Sequence, residues 1–288
     1  MRVLITRGSS ATARRLAELL EGRSGVEAVL TVREDEPEAL AQIIRGAQVD
    51  TVVEMRPRAD AVAGCESAGV RKLVLKSSAH YYGFERDAPA FLTEATIRRR
   101  PPAGALERSV LAAESAAERL AVRNPGCRVA ILRFADEIGT GEGSHQVLLR
   151  LPFVPCILGF DPRWQLIHAH DVAGALAHAV LRDLPGVYNV AADGVLSLSE
   201  VASLLGKPML PVLPPLGTGL AVGQLARLGI PAPVELVGQL RFGRGLDNRR
   251  LKASGYLYRY TSRETVIKLA EEHRLRVLLE PPRQPPGS

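Results

Sequence analysis

Three features of the sequence predict an α/β fold built on a doubly wound parallel sheet. Short apolar runs rich in β-forming residues alternate with amphipathic segments of helical spacing through the first half of the chain. Such alternation is typical of parallel βαβ units. The N-terminal stretch has the order strand, turn of small residues, helix, which opens many sheets of this class. With 288 residues, the chain is also long enough to bury a large core.

The first unit is the most informative part of the sequence. Met1–Thr6 is an apolar run, Arg7–Ser10 is a turn of mostly small residues, and Ala11–Leu20 has apolar residues on one face. Unpaired N–H groups and the dipole at a helix start favour a bound anion such as a pyrophosphate. The sequence therefore predicts a dinucleotide site at the turn and the helix start. The predicted site residues are Gly8, Ser9, Ser10, Ala11 and Thr12.

This turn departs from the glycine pattern that usually binds a dinucleotide. When Thr6 is aligned with the first residue of Thr-Gly-Gly-x-Gly-x-x-Gly, Gly8 is the one glycine that remains. Arg7, Ser10 and Ala13 occupy the other glycine positions. Arg7 either pairs with a phosphate or blocks the pocket, and Ser10 either donates to a phosphate or obstructs it. A dinucleotide site and a purely structural strand–turn–helix unit both remain open.

The remaining segments extend the same pattern into two domains. Predicted strands are Val26–Val32, Asp50–Val53, Val70–Ser78, Arg128–Arg133, Gln165–His168 and Tyr188–Ala191, and predicted helices are Glu38–Arg45, Ala59–Ala68, Leu106–Val122, Asp171–Leu181 and Leu196–Leu205. Residues 1–150 form the predicted dinucleotide-binding domain of Rossmann type. Residues 151–280 form a predicted smaller C-terminal substrate or lid domain, interleaved with the first. The Pro-rich residues 281–288 are predicted to be a disordered tail.

Composition and charge argue against several other classes of protein. The net charge is +6, but the arginines are scattered and do not interleave with aromatic residues, so nucleic acid is not an expected partner. The three cysteines form no Cys-x-x-Cys pair, which argues against a disulfide framework or a zinc site. We find no apolar run of the roughly 20 residues that a membrane span needs, and no signal-peptide pattern. We therefore expect a cytoplasmic protein without a metal site or a membrane partner.

Four segments carry motifs of one family. They are AGVRKLVLKSSAHYYG at Ala68–Gly83, ILRFADEIG at Ile131–Gly139, LIHAHDVA at Leu166–Ala173 and GVYNVA at Gly186–Ala191. Their order and spacing resemble the extended short-chain dehydrogenases/reductases of the NAD-dependent epimerase/dehydratase type, close to the nucleotide-sugar 4-epimerases. The resemblance implies a Rossmann-type fold, bound NAD or NADP, and a nucleotide sugar as substrate.

The resemblance also implies a set of catalytic residues, of which this chain has only part. In the family, the tyrosine of a Tyr-x-x-x-Lys motif takes a hydroxyl proton while a serine bonds the same oxygen. Ser78 falls on that serine, Tyr82 on a tyrosine that lines the pocket, and Ser77 is expected beside the cofactor. Leu106 and Val110 stand where the family has the tyrosine and the lysine. Because the loss of one acid–base group usually costs about 10²–10⁴ in rate, we expect lost or altered catalysis.

The alternative is a non-catalytic nucleotide- or NADP-binding protein with a regulatory or scaffold role. A homodimer is compatible with that alternative, because two Ala-rich helices such as Leu106–Val122 can pack closely. The family also has another strand between Val32 and Asp50, where this chain has room for only one short helix.

Several further residues are candidates for ligand binding. Arg33 aligns with the acidic residue that binds the ribose, so it would favour NADP over NAD unless it is simply exposed. Arg163, Arg241 and Arg244 are candidate ligands of a diphosphate, with surface solvation as the competing role. His168 is a candidate substrate residue at the end of a strand, and Asp171 is the expected N-cap of the next helix.

Overall fold

The structure is a computed structural model, and it describes residues 1–33, 37–139, 149, 151–212 and 234–279. The predicted tail at 281–288 and most of the Pro- and Gly-rich stretch that follows residue 212 lie outside the described residues. In the described part of the chain, no helix has the length and the apolar character needed to cross a membrane.

A six-stranded parallel sheet is the centre of the fold. Its strands are β1 (Arg2–Ile5), β2 (Ala28–Thr31), β3 (Thr51–Glu54), β4 (Lys72–Ser78), β5 (Arg128–Phe134) and, later in the chain, β10 (Gly186–Val190). Their spatial order is β10-β5-β4-β3-β1-β2, and each neighbouring pair is parallel. The reversal of strand order at β1 is the mark of a doubly wound sheet, which confirms the predicted fold class.

Helices cover both faces of this sheet. They are α1 (Ala11–Leu20), α2 (Pro37–Gly46), α3 (Ala59–Ala68), α4 (Ala105–Arg123) and α5 (Ala169–Leu181). Alternation along β1 divides the core, because Val3 and Ile5 pack with α1 and α5 while Leu4 packs with α2, α3 and α4. Strands buried on both faces are nearly continuous apolar runs, as the sequence shows here.

The second half of the chain builds a smaller body with its own core. Its strands are β6 (Asp136–Ile138), β7 (Val154–Ile157), β8 (Arg163–Trp164), β9 (Leu166–His168), β11 (Leu196–Ser197) and β12 (Met209–Val212), and its helices are α6 (Leu198–Leu205), α7 (Val234–Phe242), α8 (Arg249–Ala253) and α9 (Ser262–Leu279). The strands pair as β6–β9, β7–β12 and β8–β11. A core cluster that includes the buried Trp164 joins these elements except α8, whose Leu251 packs in the core of the central sheet. Because β6 follows β5 after one residue, this body begins at the carboxyl ends of the central strands.

The structure contradicts one local prediction, the N-cap of α5, and agrees with another, the one short helix between β2 and β3. Asp171 was predicted to be the N-cap of α5, and this prediction is wrong. His168 is the N-cap, with Nδ1 accepting from the His170 N–H at 3.1 Å. Asp171 lies in the first turn, where its carboxylate accepts from the N–H groups of Arg259 (2.8 Å) and Tyr260 (3.1 Å). Among the described residues between β2 and β3, α2 is the one regular element, and β2 is therefore an edge strand.

Candidate functional site

The turn between β1 and α1 ends at the N-cap Ser10 and packs closely on β2. Ser10 is the N-cap of α1, and its hydroxyl oxygen accepts from the Ala13 N–H at 3.1 Å. Arg7 has a left-handed backbone, with φ of 51°. A Cβ added at Gly8 would lie 2.4 Å from the Cβ of Thr31 on β2, so the turn has room for glycine alone. Gly8 therefore serves close packing of the turn on β2, besides any ligand.

The start of α1 is the candidate position for the diphosphate of a dinucleotide. No acidic residue lies in the first turn of the helix, and Ser9 and Ala11 are exposed there. Unpaired N–H groups at such an end favour negative charge. Arg33 is also exposed, two residues beyond the end of the edge strand β2. These positions are compatible with NAD or NADP.

A polar bridge connects α1 with the carboxyl ends of two strands. The Thr12 hydroxyl donates to Glu137 Oε1 at 2.7 Å, and Lys76 Nζ lies 2.8 Å from Glu137 Oε2. Lys76 belongs to β4 and Glu137 to β6, so the bridge spans the cleft beside the helix start. Sequence reasoning missed it. The one available signal was a lysine within an otherwise apolar strand that ends in small residues.

The two serines at the end of β4 face opposite sides of the sheet. Ser77 is buried, and its hydroxyl donates to Glu114 of α4, away from the turn at Gly8. Ser78 Oγ lies 2.8 Å from His80 Nδ1 in the short 3₁₀ helix that follows the strand. Because successive side chains of a strand alternate between the two faces of a sheet, Ser77 points into the core beside α4 and Ser78 points to the opposite face.

The tyrosines that follow are engaged with a buried arginine. The Tyr82 hydroxyl donates to Asn189 at 2.7 Å and accepts from Arg133 at 2.9 Å, and burial raises its pKa. The ring of Tyr81 stacks on the Arg133 guanidinium, whose central carbon is 3.3 Å from the ring centre. Arg133 also donates to both carboxylate oxygens of Glu114, through Nε to Oε1 and through Nη2 to Oε2. This arrangement favours a structural role for Tyr82.

Arg244 lies beside the residues that directly follow Ser78. Its guanidinium donates to the Ala79 carbonyl at 2.9 Å, lies 3.3 Å from His80 Nδ1 and pairs with Asp136 at 3.7 Å. The Gln239 amide donates to the other oxygen of Asp136. Burial lowers the pKa of Arg244, while the charge of Asp136 acts in the opposite direction. Arg244 and Tyr82 both line a cavity of about 420 Å³.

The two positions that align with the tyrosine and the lysine of the Tyr-x-x-x-Lys motif lie on α4. This helix packs against β4 and the 3₁₀ helix, so it stands beside the carboxyl end where Ser78 lies. Leu106 is 43 % exposed, and Val110 is completely buried. Neither side chain can hold or release a proton, so α4 contributes only apolar surface at these two positions.

The other predicted ligand residues are spread over neighbouring elements. Arg163 is exposed on β8 and supplies its backbone carbonyl to the Arg244 N–H at 3.0 Å. Arg241 stacks on Phe160 and borders a second cavity. His168 caps α5, and burial lowers its pKa. Among these predicted ligand residues, Arg244 lies near Ser78, whereas the side chains of Arg163 and His168 lie elsewhere. In the described ranges, no three His, Cys, Asp or Glu side chains are arranged to hold a metal ion.

Comparison with known proteins gives the family. No family model matches the sequence. The chain is 31 % identical to the uncharacterized protein Rv0501 of Mycobacterium tuberculosis over 269 residues, which are 85 % of this chain and 71 % of the relative. The uncharacterized protein Mb0513 of Mycobacterium bovis matches to the same extent. The chain belongs to the same family as these two mycobacterial proteins. None of these family members has an assigned activity.

Solved structures identify the fold as that of the extended short-chain dehydrogenases/reductases. The dTDP-glucose 4,6-dehydratase of Bacillus anthracis in complex with NAD matches with a TM-score of 0.72 at 14 % identity, over 97 % of this chain and 98 % of that one. MoeE5 in complex with UDP-glucuronic acid and NAD matches at 0.71 and 21 %, over 96 % and 100 %. UDP-glucose 4-epimerase of Thermotoga maritima with UDP-glucose matches at 0.70 and 16 %, over 96 % and 100 %. The predicted resemblance is thus confirmed at the level of the fold.

Proposed function

We propose that this protein binds a nicotinamide dinucleotide, with NADP(H) preferred over NAD(H), and does not perform the tyrosine- and lysine-dependent proton transfer of the epimerases. The proposal rests on one combination of features. The start of α1 is exposed, and α4 has aliphatic side chains at the two positions where the family has its tyrosine and its lysine. The turn at Gly8 leads into an exposed helix start with no acidic residue in its first turn, while Leu106 and Val110 replace both proton-handling side chains.

Two groups of residues would hold the phosphates of the dinucleotide. The N–H groups at the start of α1, with Ser9 and Ser10, would hold the diphosphate. Arg33 would pair with a 2′-phosphate, since a guanidinium fork suits phosphate oxygens. A bound nicotinamide supplies a hydride acceptor. The similarity to structures solved with NAD supports this half.

The catalytic half follows from how the polar groups near Ser78 are already used. Proton abstraction needs a free acceptor within hydrogen-bond reach of the substrate hydroxyl. The Nδ1 atom of His80 faces both the Ser78 hydroxyl and an Arg244 N–H. The hydroxyl of Tyr82 is bonded to two core side chains. We therefore infer a binding role, regulatory or structural, with a nucleotide sugar as the class of second ligand in the cavity beside Arg244.

The test is a fluorescence titration of the purified protein with NADPH and with NADH. We expect micromolar affinity for NADPH and weaker binding of NADH. Gly8→Ala should abolish binding, because the new Cβ forces the turn away from Thr31. Gly46→Ala is the matched control, because nothing lies within 4 Å of a Cβ there. Circular dichroism of both variants separates loss of the site from loss of the fold.

The preference between the two dinucleotides has its own variant. Arg33→Asp should reverse the NADPH/NADH affinity ratio, because the carboxylate repels a 2′-phosphate and accepts from the ribose hydroxyl of NADH. An unchanged ratio would remove Arg33 from the site. Absence of binding of either dinucleotide up to millimolar concentration would contradict the proposal as a whole.

A further inference from the structure

The hydrogen-bonded chain from Thr12 through Glu137 to Lys76 crosses the edge of the sheet where a dinucleotide would lie. Because the strands are parallel, the start of α1 and the end of β4 lie at the same edge. A dinucleotide with its diphosphate at the start of α1 must pass along this edge to bring its nicotinamide to Ser78. Thr12 is in the first turn of α1, and Lys76 precedes Ser78 by two residues, on the same face of β4. We call Thr12, Glu137 and Lys76 the cleft bridge.

Charge-assisted hydrogen bonds close the cleft bridge. Glu137 Oε1 accepts from the Thr12 hydroxyl at 2.7 Å, and Lys76 Nζ donates to Glu137 Oε2 at 2.8 Å. The Lys76 ammonium also lies 5.8 Å from the ring centre of Phe134, which is paired in register with Ser78. The side chains of Lys76 and Glu137 are 21 % and 13 % exposed, so a ligand in the cleft can contact them. The bridge therefore lies between the start of α1 and the position of Ser78.

A nicotinamide ring cannot replace the polar contacts that it would displace. A neutral reduced ring that enters between Lys76 and Glu137 separates a mostly buried ion pair, and neither charge regains its full hydration there. A diphosphate makes no such demand, because it needs only backbone N–H groups at the start of α1. Thr12 joins the bridge through its hydroxyl and not through its N–H. Binding of a diphosphate is therefore compatible with a closed bridge, and entry of the nicotinamide is not.

The ligand class follows from this difference between the two ends of a dinucleotide. We propose that the site binds its ligand by the adenosine end and the diphosphate, and that the closed cleft bridge keeps the nicotinamide outside. This proposal rests on the proposed function, because it concerns the same site. The ligand is then an adenosine diphosphate compound, with its 2′-phosphate on Arg33, and the nicotinamide contributes no affinity. Lys76 and Glu137 are the residues that determine this specificity.

Calorimetric titrations with NADPH and with 2′-phospho-ADP-ribose test the proposal. The second ligand is NADPH without its nicotinamide, so the ratio of the two affinities measures what the ring contributes. The unmodified protein should bind both equally, within about twofold. Glu137→Ala removes the link between α1 and β4, so NADPH should then bind about tenfold more tightly than 2′-phospho-ADP-ribose, because its ring gains buried surface. Glu118→Ala, at an exposed position on α4, should leave the ratio unchanged.

The affinity ratio also separates this role from a structural one. Both ligands share the diphosphate, so any effect of a variant on the start of α1 cancels in the ratio. Lys76→Ala opens the bridge from β4 and should shift the ratio in the same direction as Glu137→Ala. A bridge that only holds β6 on α1 would lower Tm on substitution and leave the ratio unchanged.

Two results would overturn the proposal while the dinucleotide site stands. One is binding of NADPH by the unmodified protein that is tighter than binding of 2′-phospho-ADP-ribose by more than about threefold. The other is an unchanged ratio in either bridge variant that keeps its fold by circular dichroism. Absence of binding of both ligands to the unmodified protein would instead contradict the proposed dinucleotide site, and this proposal with it.

Discussion

At the scale of single residues, Arg133 organises the region behind Ser78. It is 2 % exposed and is bonded to the Glu114 carboxylate and the Tyr82 hydroxyl, with Tyr81 stacked on its plane. The Ser77 hydroxyl donates a further hydrogen bond to the Glu114 carboxylate. A fully bonded network of this kind holds the 3₁₀ helix, and therefore Ser78, in one position relative to α4.

Loss of the Glu114 charge should be strongly destabilising. Glu114→Gln leaves the Arg133 guanidinium buried without its counterion, and breaking such a pair from one side costs about 3–5 kcal/mol. Urea unfolding followed by circular dichroism measures the change. The exposed Glu118→Gln on the same helix should change the free energy of unfolding by less than about 0.5 kcal/mol. Similar values for the two variants would show that the buried pair contributes little.

His168 should make stability depend on pH. Burial lowers its pKa, so as the pH falls the unfolded chain takes up a proton before the folded protein does. Stability should therefore decline from about pH 6.5 downward, the ordinary pKa of histidine. His170 and His178 act in the same direction, because burial lowers the pKa of each.

An asparagine at position 168 should reduce this dependence. It keeps an N-cap for α5 but does not titrate. The fall in Tm between about pH 7 and pH 5 should be smaller for His168→Asn than for the unmodified protein. The same fall in both proteins would exclude His168 as a contributor.

The contacts at the site that the sequence could not predict join residues that lie far apart in the chain. Ser78 could be placed from its motif, but the bridge from Lys76 through Glu137 to Thr12 joins residues 61 and 125 positions apart. The position of Arg244 beside His80 joins segments 164 residues apart. No local pattern encodes such distances, because they depend on how strands and loops meet in space.

At the scale of elements, local signals predicted most of the helices and strands. The helix Ala59–Ala68 was predicted with the bounds the structure shows, since its periodicity ends at Gly69, whose left-handed backbone closes the helix. The N-cap of α5 was predicted wrongly because Asp171 and His168 both offer an acceptor. Distant N–H groups of Arg259 and Tyr260 bind the Asp171 carboxylate, and the imidazole caps the helix instead.

The capping box of α6 gives a quantitative test at this scale. Ser197 Oγ accepts from the Glu200 N–H at 3.2 Å, and the Glu200 carboxylate accepts from the Ser197 N–H at 2.8 Å. Ser197→Ala should lower the free energy of unfolding by about 1 kcal/mol. Ser203→Ala, at an exposed position in the same helix, should change it by less than about 0.5 kcal/mol. Equal effects would show that the box is not what stabilises the start of α6.

At the scale of the whole molecule, the chain keeps the architecture of the extended short-chain dehydrogenases/reductases at low sequence identity. The parallel sheet places the turn at Gly8 and the serine at the end of β4 at the same edge, and α4 packs against β4. Such sheets bind ligands at this edge by virtue of their topology. The fold does not fix the chemistry, because the chemistry depends on the individual side chains of the site.

The most direct test of the central claim combines saturating NADP⁺ or NAD⁺ with UDP-glucose and follows the absorbance band of reduced nicotinamide. We predict that the dinucleotide binds and that no reduced nicotinamide forms, because Leu106 and Val110 cannot take the proton that accompanies hydride transfer. The appearance of that band with the unmodified protein, at a rate well above the background without protein, would contradict the claim. It would show that another side chain accepts the proton.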